Sequence, residues 1–551
     1  MAGEAAADFT GAVALHRAGR LAEAVAIYRD LLAADPGNDG IRLNLGAALA
    51  ASGDRVGAAA EYEAILARAP DHAGALYNLG NLRRNSGEAA AALDLYRRCV
   101  AVSPEDARAL TALGQQLTDT GDFTGAREML ARALRAAPGD AAIWNALGIA
   151  LWRSGLVESA AAHYGRARRL DPAYGAALTN LGIALRHLGR QDDALACHRA
   201  ATERMPESPM VWTNLGVTLV ADNRIDEAIE CYDRSLSLAP GNAEASFNRG
   251  VARLLTGDFA GGFRDYEARW RRPDVPPLPP GAPLWDGGEV AGKRLLLFAE
   301  QGYGDSLQFA RYAAPLAAAG ATVILQVQPE LVRLLWGTPG AASVVSRNEE
   351  APPHDLRAPL LGLPHLLGTT PDRIPAPGGY LPRPPAPPRR RRERLRVGIA
   401  WAGSPTHLND RNRSCRLADM LALAAHPRID LVSLQKGEAA DELGRAEAAL
   451  VEDASGSCED FMDTARVIAG LDLVVTVDTS VAHLAGALGV RVWVMLPFAP
   501  DWRWMLERDG SPWYRTMRLF RRKRADRDFA PVIDAIGREL AALAATPAGE
   551  G

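Results

Sequence analysis

The sequence predicts two architectures in one chain: an α-helical solenoid of repeated hairpins, followed by an α/β region of two lobes with parallel sheets. A proline period of 34 residues in the first half predicts the solenoid. Short apolar runs that alternate with helical segments in the second half predict the parallel sheets. The 551 residues also require several domains, because single hydrophobic cores stop growing at about 250 to 300 residues.

Each repeat of the first half has the same order of residues. A Leu-Gly pair is followed by a turn glycine, an alanine, in most units an aromatic residue four positions later, and a proline. The prolines are Pro36, Pro70, Pro104, Pro138, Pro172, Pro206 and Pro240, and the Leu-Gly pairs begin at Leu45, Leu79, Leu113, Leu147, Leu181 and Leu215. This order predicts a helix, a glycine turn, a second helix and a proline stop. The small alanine lets the two helices approach closely.

The pattern resembles the tetratricopeptide repeat over residues 5–270, as seven to eight units whose first and last members depart from it as end caps do. Asparagines recur at one phase of the first helix, on the face that lines the concave side of such a superhelix: Asn44, Asn78, Asn180, Asn214 and Asn248. Their amides are suited to pairing with the backbone of an extended peptide. A resemblance to the superhelix of O-linked N-acetylglucosamine transferase implies that use. A structural or oligomerising role of the repeats is the alternative.

Composition divides the sequence after the repeats into four segments. Residues 271–292 form a proline-rich linker, 293–380 a first lobe, 381–395 a second linker rich in proline and arginine, and 396–545 a second lobe. Two Rossmann-like lobes joined by a linker resemble the GT-B fold of glycosyltransferases. In that arrangement the active site lies in the cleft at the carboxyl ends of the strands.

The most informative segment is LDLVVTVDTSVAHLAGALG in the second lobe. A buried strand leads into Asp478, Thr479 and Ser480, and a helix then begins with His483 in its first turn. The amino end of such a helix binds anions such as a diphosphate. The segment resembles the D-T-G-x-x-H element of heptosyltransferase-like enzymes (glycosyltransferase family 9), with Ser480 in place of the glycine. The alternative is that Asp478 or Thr479 caps the helix and that His483 packs against the sheet.

In the first lobe a strand leads into a glycine-rich turn that contains Gly304 and Asp305. The turn resembles the Gly-Asp element of the same enzymes, which implies that Asp305 is the general base that deprotonates the acceptor hydroxyl. Asp305 is also a candidate helix cap, and Glu300 at the end of the strand is the second candidate for the base.

Cations for the leaving diphosphate are expected in the second lobe. Arg411 and Arg413 follow its first strand, where the related enzymes carry a cation, and guanidinium groups suit phosphate oxygens. Which of the two binds phosphate is left open. Lys436 follows another strand and is predicted either to contact ribose or phosphate or to lie solvated at the surface.

Composition excludes other classes of function. The net charge is -4, which gives no overall field toward nucleic acid. No apolar run is long enough to span a membrane, no secretory signal opens the sequence, and the five cysteines are dispersed. We therefore expect a cytoplasmic protein. No clustered metal ligands are visible, so we expect no metal and no cofactor beyond a nucleotide-sugar co-substrate.

The predicted function is transfer of a sugar from a nucleotide diphosphate to a hydroxyl. The resemblance implies inversion at the anomeric carbon, and the repeats favour a protein or peptide acceptor. Two alternatives stay open: an oligosaccharide acceptor, or a scaffold whose partners dock on the repeats and whose lobes are catalytically idle. Oligomerisation through the repeats is also left open.

Overall fold

The computed structural model describes residues 2–278, 280–386, 394–407, 409–444 and 449–545. Residues 387–393, the centre of the expected interlobe linker, lie outside the described residues. The chain divides into two compact units, Met1–Thr218 and Leu219–Gly551.

The first unit consists of helical hairpins. Its helices are α1 (Ala2–Arg17), α2 (Leu21–Ala34), α3 (Asp39–Ser52), α4 (Arg55–Arg68), α5 (Ala73–Asn85), α6 (Ala89–Val102), α7 (Ala107–Asp119), α8 (Phe123–Ala136), α9 (Ala141–Arg153), α10 (Val157–Leu170), α11 (Gly175–His187), α12 (Gln191–Arg204) and α13 (Pro209–Ala221), the last of which continues into the second unit. The turn glycine of the second hairpin, Gly53, has φ 92°, a left-handed value that favours glycine and ends α3. Asp54 then caps α4 by accepting a hydrogen bond from the Gly57 N–H.

In several hairpins the glycine of the Leu-Gly pair faces a tyrosine ring of the same hairpin. A Cβ atom added at Gly46 would lie 2.6 Å from the ring of Tyr62, and one added at Gly148 would lie 2.5 Å from the ring of Tyr164. Any larger side chain would displace these buried rings. Glycine at this position therefore lets the two helices of these hairpins pack closely.

The second unit begins with helices and continues into the first lobe. After α14 (Ile225–Leu238), α15 (Ala243–Thr256) and α16 (Phe259–Tyr266) comes a 3₁₀ helix, Glu267–Arg271. The first lobe contains β1 (Arg294–Phe298), α17 (Tyr303–Phe309), α18 (Ala313–Ala318), β2 (Thr322–Val327), α19 (Pro329–Leu335), β3 (Ala341–Ser346), β4 (Leu356–Pro359) and α20 (Leu363–Leu366). Its strands form one parallel sheet in the order β3-β2-β1-β4.

The second lobe is a larger parallel sheet with helices. It contains β5 (Leu395–Ala400), α21 (Asp410–Arg413), α22 (Leu417–Met420), β6 (Ile429–Ser433), β7 (Val451–Asp453), α23 (Phe461–Ala469), β8 (Leu473–Val477), α24 (Ser480–Ala487), β9 (Val492–Leu496), β10 (Met517–Arg521) and α25 (Ala530–Ala545). The strand order is β10-β9-β8-β5-β6-β7. Counted within the lobe this is 6-5-4-1-2-3, the order of a doubly wound Rossmann-type sheet.

Candidate functional site

The order of the six-stranded sheet reverses between β5 and β8, which pair in parallel from Val397 and Leu473 onward. The chain first builds the sheet outward from β5 to β7 and then returns to the other side of β5. In such sheets ligands bind in the crevice beyond the carboxyl ends of the two strands at the reversal. The predicted Asp478-Thr479-Ser480 turn follows β8 at this crevice.

The amino end of α24 lies at this crevice. Thr479 holds the N-cap position, but its side chain makes no capping hydrogen bond. Its hydroxyl pairs with the Thr476 hydroxyl at 3.1 Å instead. Ser480, the first residue of the helix, is only half-buried. The first N–H groups of α24 therefore have no side-chain cap, which is the arrangement that suits an anion.

Arg413 lies across the same crevice. Its Nη1 donates to the Asp478 carbonyl at 3.0 Å, and Asp410 lies 3.4 Å from its Nε. A Cβ added at Gly403, in the loop after β5, would lie 2.3 Å from the Arg413 guanidinium. The guanidinium therefore packs directly against the backbone of the loop after β5. The other predicted cation, Arg411, is exposed on α21.

Asp305 lies in the first turn of α17 and has partners for both carboxylate oxygens. Oδ2 accepts a hydrogen bond from the Gly302 N–H at 2.9 Å, which caps the helix. Oδ1 is ion-paired with Arg503 of the second lobe. The capping alternative is therefore observed. The ion pair also brings this carboxylate to the second lobe.

Arg503 is the centre of the charged groups between the lobes. Its Nη1 lies 2.8 Å from Asp501, its Nε donates to the Gln308 side chain at 2.9 Å, and its Nη2 pairs with Asp305. The guanidinium lies 4.4 Å from the ring centroid of Trp502. Asp501 and Asp305 together raise its pKa, despite the opposing effect of burial. Arg503 is thus a permanent cation that joins carboxylates of both lobes.

His483 connects the two predicted motifs, the turn that contains Gly304 and the segment that begins with Asp478. Its side chain is buried on α24, its Nδ1 lies 3.2 Å from the Tyr514 hydroxyl, and its ring stacks on Trp504. A Cβ added at Gly304 would lie 2.9 Å from the imidazole Cδ2 atom. Burial, with Arg503 and Arg311 nearby, holds the pKa of His483 well below its ordinary value. The imidazole is therefore neutral and packs the first lobe against the second.

Asp478 lies among these charges. Burial raises the pKa of its carboxyl above the ordinary value, and the nearby Asp501 raises it further. The guanidinium groups of Arg413 and Arg503 partly offset this rise. The pKa of this carboxyl is therefore about 6, so the side chain takes up a proton at a higher pH than an exposed aspartate does.

Lys436 is bound to protein atoms. Its ammonium donates to the carbonyls of Ser455 and Cys458. The neighbouring Gln435 is buried, and its amide oxygen accepts hydrogen bonds from the N–H groups of Trp401 and Ala402. Both side chains hold the loops that follow β5 and β7.

The predicted asparagines are all half-buried. Asn44 donates to the carbonyl of Gly40 in its own helix, and Asn180 donates to the Asn145 side chain at 2.9 Å. Asn78 is hydrogen-bonded to Tyr62 of the preceding hairpin. The contacts of Asn78 and Asn180 link neighbouring hairpins. Asn214 also belongs to the first unit, whereas Asn248 lies in the second unit.

The structure thus brings together Asp305, Gly304, His483, Asp478 and Arg413. Sequence reasoning missed the part of Arg503 and Gln308 in this cluster. The Asp-Trp-Arg-Trp run around Arg503 was a signal, since charged residues among tryptophans are partly buried and need partners. Nothing in the sequence identifies Asp305, 198 residues earlier, as that partner.

Among the described residues, no three His, Cys, Asp or Glu side chains are grouped so that they could hold a metal ion. No described helix combines the length and the apolar character that a membrane crossing requires.

Comparison with known proteins identifies the helical hairpins. One tetratricopeptide-repeat model matches residues 79–141, 111–174, 145–209 and 213–279, and another matches residues 15–80. These hairpins are therefore tetratricopeptide repeats. The resemblance that the 34-residue period indicates is confirmed for this part of the chain.

The chain is similar to Protein FlbA of Caulobacter vibrioides, with 26% identity over 356 residues, 52% of this chain and 59% of that protein. It therefore spans about three fifths of the length of that relative. Among solved structures, it is similar to a thermophilic TPR protein of Thermus thermophilus (23% identity, 33% of this chain, 99% of that chain, TM-score 0.30). It is also similar to YrrB, described as a TPR protein with an unusual peptide-binding site (24% identity, 33% of this chain, 95% of that chain, TM-score 0.28).

Proposed function

We propose that the chain is a glycosyltransferase with a GT-B fold that uses a nucleotide-diphosphate sugar. The supporting observation is the crevice between β5 and β8, where the uncapped amino end of α24 and the Arg413 guanidinium lie together, with Asp305 joined to the same cluster through Arg503. An amide-lined helix end and a guanidinium are the groups that stabilise a leaving diphosphate without a metal. The switch-point position is where nucleotides bind in such sheets.

In the proposed reaction the acceptor hydroxyl attacks the anomeric carbon of the donor sugar. The bond from that carbon to the diphosphate oxygen breaks, and the diphosphate leaves with the electron pair. Asp305 accepts the hydroxyl proton as the new bond forms. Each of its oxygens already has one partner, but a carboxylate has about four lone-pair sites, so an acceptor hydroxyl can still donate to it.

The tetratricopeptide repeats are proposed to recruit the acceptor or a partner protein. Repeats of this kind present extended surfaces on which a peptide can lie. The half-buried asparagines of the first unit have donor and acceptor capacity beyond their observed contacts. A protein acceptor would explain why the repeats and the lobes belong to one chain.

One observation favours a second candidate, an interaction scaffold with idle lobes. Both oxygens of Asp305 serve structural contacts, and the ammonium of Lys436 is held by carbonyls. In that case the charged groups of the cleft would serve only to join the two lobes.

The two candidates differ in the outcome of a transfer assay on the full chain. Radiolabelled uridine- and guanosine-diphosphate sugars are offered with and without a peptide library, and free sugar and labelled peptide are counted. Asp305→Asn is expected to lower transfer roughly 10²- to 10⁴-fold while nucleoside diphosphate binding persists. Asp372→Asn, an exposed aspartate of the same lobe, is the control. Binding of no nucleotide and no turnover by the parent protein would favour the scaffold.

A further inference from the structure

The last helical hairpin of the second unit, α15 and α16 with the 3₁₀ helix Glu267–Arg271, is part of the same core as the lobes. Its rings contact the tryptophans of the loop that carries Arg503. Phe259 stacks on Trp513 with centroids 5.7 Å apart, and Phe263 meets Trp502 edge-on at 5.5 Å. These rings are buried. We call this element the terminal hairpin.

The terminal hairpin also covers the strand ends of the first lobe. That sheet reverses its order between β1 and β4, as the larger sheet does between β5 and β8. Arg269 reaches Glu300, just after β1, with Nη2 at 3.0 and 3.3 Å from the two carboxylate oxygens. A Cβ added at Gly362, just after β4, would lie 3.6 Å from Oε1 of Glu267. The hairpin therefore lies over the carboxyl ends of β1 and β4, which is where ligands bind in parallel sheets that reverse their order.

Arg269 is an unusual residue for a helical repeat. Its side chain is 3% exposed, and its two carboxylate partners are Glu267 at 2.6 Å and Glu300. Its guanidinium also lies 5.2 and 4.9 Å from the ring centroids of Tyr266 and Trp270. A buried cation is costly unless paired, and removing one member of such a pair leaves an uncompensated charge. The hairpin thus holds a cation against a lobe carboxylate.

Glu300 is itself poised between two protonation states. Burial raises the pKa of its carboxyl to about 7, although Arg269 lowers it. The like charges of Glu267 and Asp305 contribute to this rise. Arg269 is therefore the cation that keeps this glutamate partly ionised at neutral pH. Without that cation the carboxyl would be protonated.

We propose that Glu300 is a second acidic group of the acceptor site and that Arg269 is its positioning residue, so that the terminal hairpin forms part of the site. This inference rests on the proposed function. Glu300 lies five residues before Asp305, at the end of the strand from which the Asp305 turn departs. Two of its lone-pair sites bind Arg269, and the others can accept a hydrogen bond from a hydroxyl-bearing acceptor. The acceptor side of the cleft is then built by lobe and hairpin together.

The test compares Arg269→Met, Arg269→Lys and Glu300→Gln in the full chain. The control is Arg271→Met, an exposed arginine of the same 3₁₀ helix. Transfer is measured at varied acceptor and donor concentrations from pH 5.5 to 9, and nucleoside diphosphate binding is measured in parallel. Arg269→Met is expected to raise the acceptor KM about tenfold at pH 7, with donor binding unchanged. The transfer rate is expected to change with pH as Glu300 ionises, and Arg269→Met is expected to move the midpoint of this change upward by one pH unit or more.

Arg269→Lys is expected to restore part of both effects, because an ammonium retains the charge and loses the fork geometry. Glu300→Gln is expected to abolish this pH-dependent change in the transfer rate, both as a single variant and in combination with Arg269→Met. An Arg269→Met protein that unfolds at lower temperature but keeps the parent's acceptor KM and pH profile overturns this inference alone. A parent protein without any transfer or nucleotide binding refutes the proposed function and this inference with it.

Discussion

Replacing His198 by tyrosine is expected to make the first unit less sensitive to acid. His198 on α12 occupies the repeat position that Tyr62, Tyr96 and Tyr164 hold in other hairpins. Each of these tyrosines precedes His198 by a multiple of 34 residues. Its side chain is 1% exposed. Nδ1 lies 2.9 Å from the Thr218 hydroxyl, and Nε2 lies 3.3 Å from the Thr179 carbonyl.

The magnitude follows from the pKa of this imidazole. Burial lowers the pKa of His198 from 6.5 to about 4. The unfolded chain therefore binds the proton more tightly than the folded one, and the stability that His198 provides when neutral is present above pH 6.5 and lost as pH falls. The loss reaches about 2 kcal/mol at pH 5 and about 3 kcal/mol below pH 4. A tyrosine does not titrate in this range.

The assay is thermal unfolding of the parent and His198→Tyr proteins at pH 8 and pH 5, with His163→Gln as a control for a partly exposed histidine. Tyrosine fits because the neighbouring Gly182 has no side chain, as Gly46 has none beside Tyr62. The parent is expected to lose several degrees more than His198→Tyr between the two pH values. An equal loss in both proteins would refute the linkage between His198 and stability.

Two further predictions concern packing and charge. Gly148→Ala is expected to destabilise the first unit by about 1 to 3 kcal/mol, because its Cβ would lie 2.5 Å from the Tyr164 ring. Thermal unfolding measures this loss, with Gly139→Ala as the control because no atom lies within 4 Å of a Cβ added there. Equal melting temperatures of the two variants would contradict the prediction. Arg333, whose guanidinium pairs with Asp460 at 2.7 Å, joins the lobes at an exposed edge. Arg333→Ala is expected to lower the melting temperature by a degree or two at low salt but not at 1 M salt, because salt screens an exposed ion pair. A loss of the same size at both salt concentrations would contradict this explanation.

Much of the repeat architecture was predictable because it is local. The 34-residue spacing, the turn glycines and the prolines each act within one hairpin, and the matching repeat models confirm that reading. Short apolar runs likewise indicated strands, since a strand is read from consecutive residues. The loop after β8 was recognisable because strand, turn and helix follow directly in the chain.

Long-range pairing was not predictable. Arg503 meets Asp305 only after both lobes have folded, and Arg269 meets Glu300 only when the terminal hairpin packs on the first lobe. No periodicity encodes such contacts. A histidine among tyrosines at His198 was visible in the sequence, but its pH dependence requires burial and the Thr218 hydroxyl, which are known only from the fold.

The proposed nucleotide site at the amino end of α24 is tested most directly by measuring diphosphate binding. Titration calorimetry with uridine and guanosine diphosphates and the matching monophosphates compares the parent with Arg413→Gln and Arg413→Lys. A diphosphate is expected to bind better than its monophosphate, and Arg413→Gln is expected to weaken binding at least tenfold, with partial recovery in Arg413→Lys. Absence of diphosphate binding at millimolar concentration, or equal affinity in all three proteins, would contradict the proposed site.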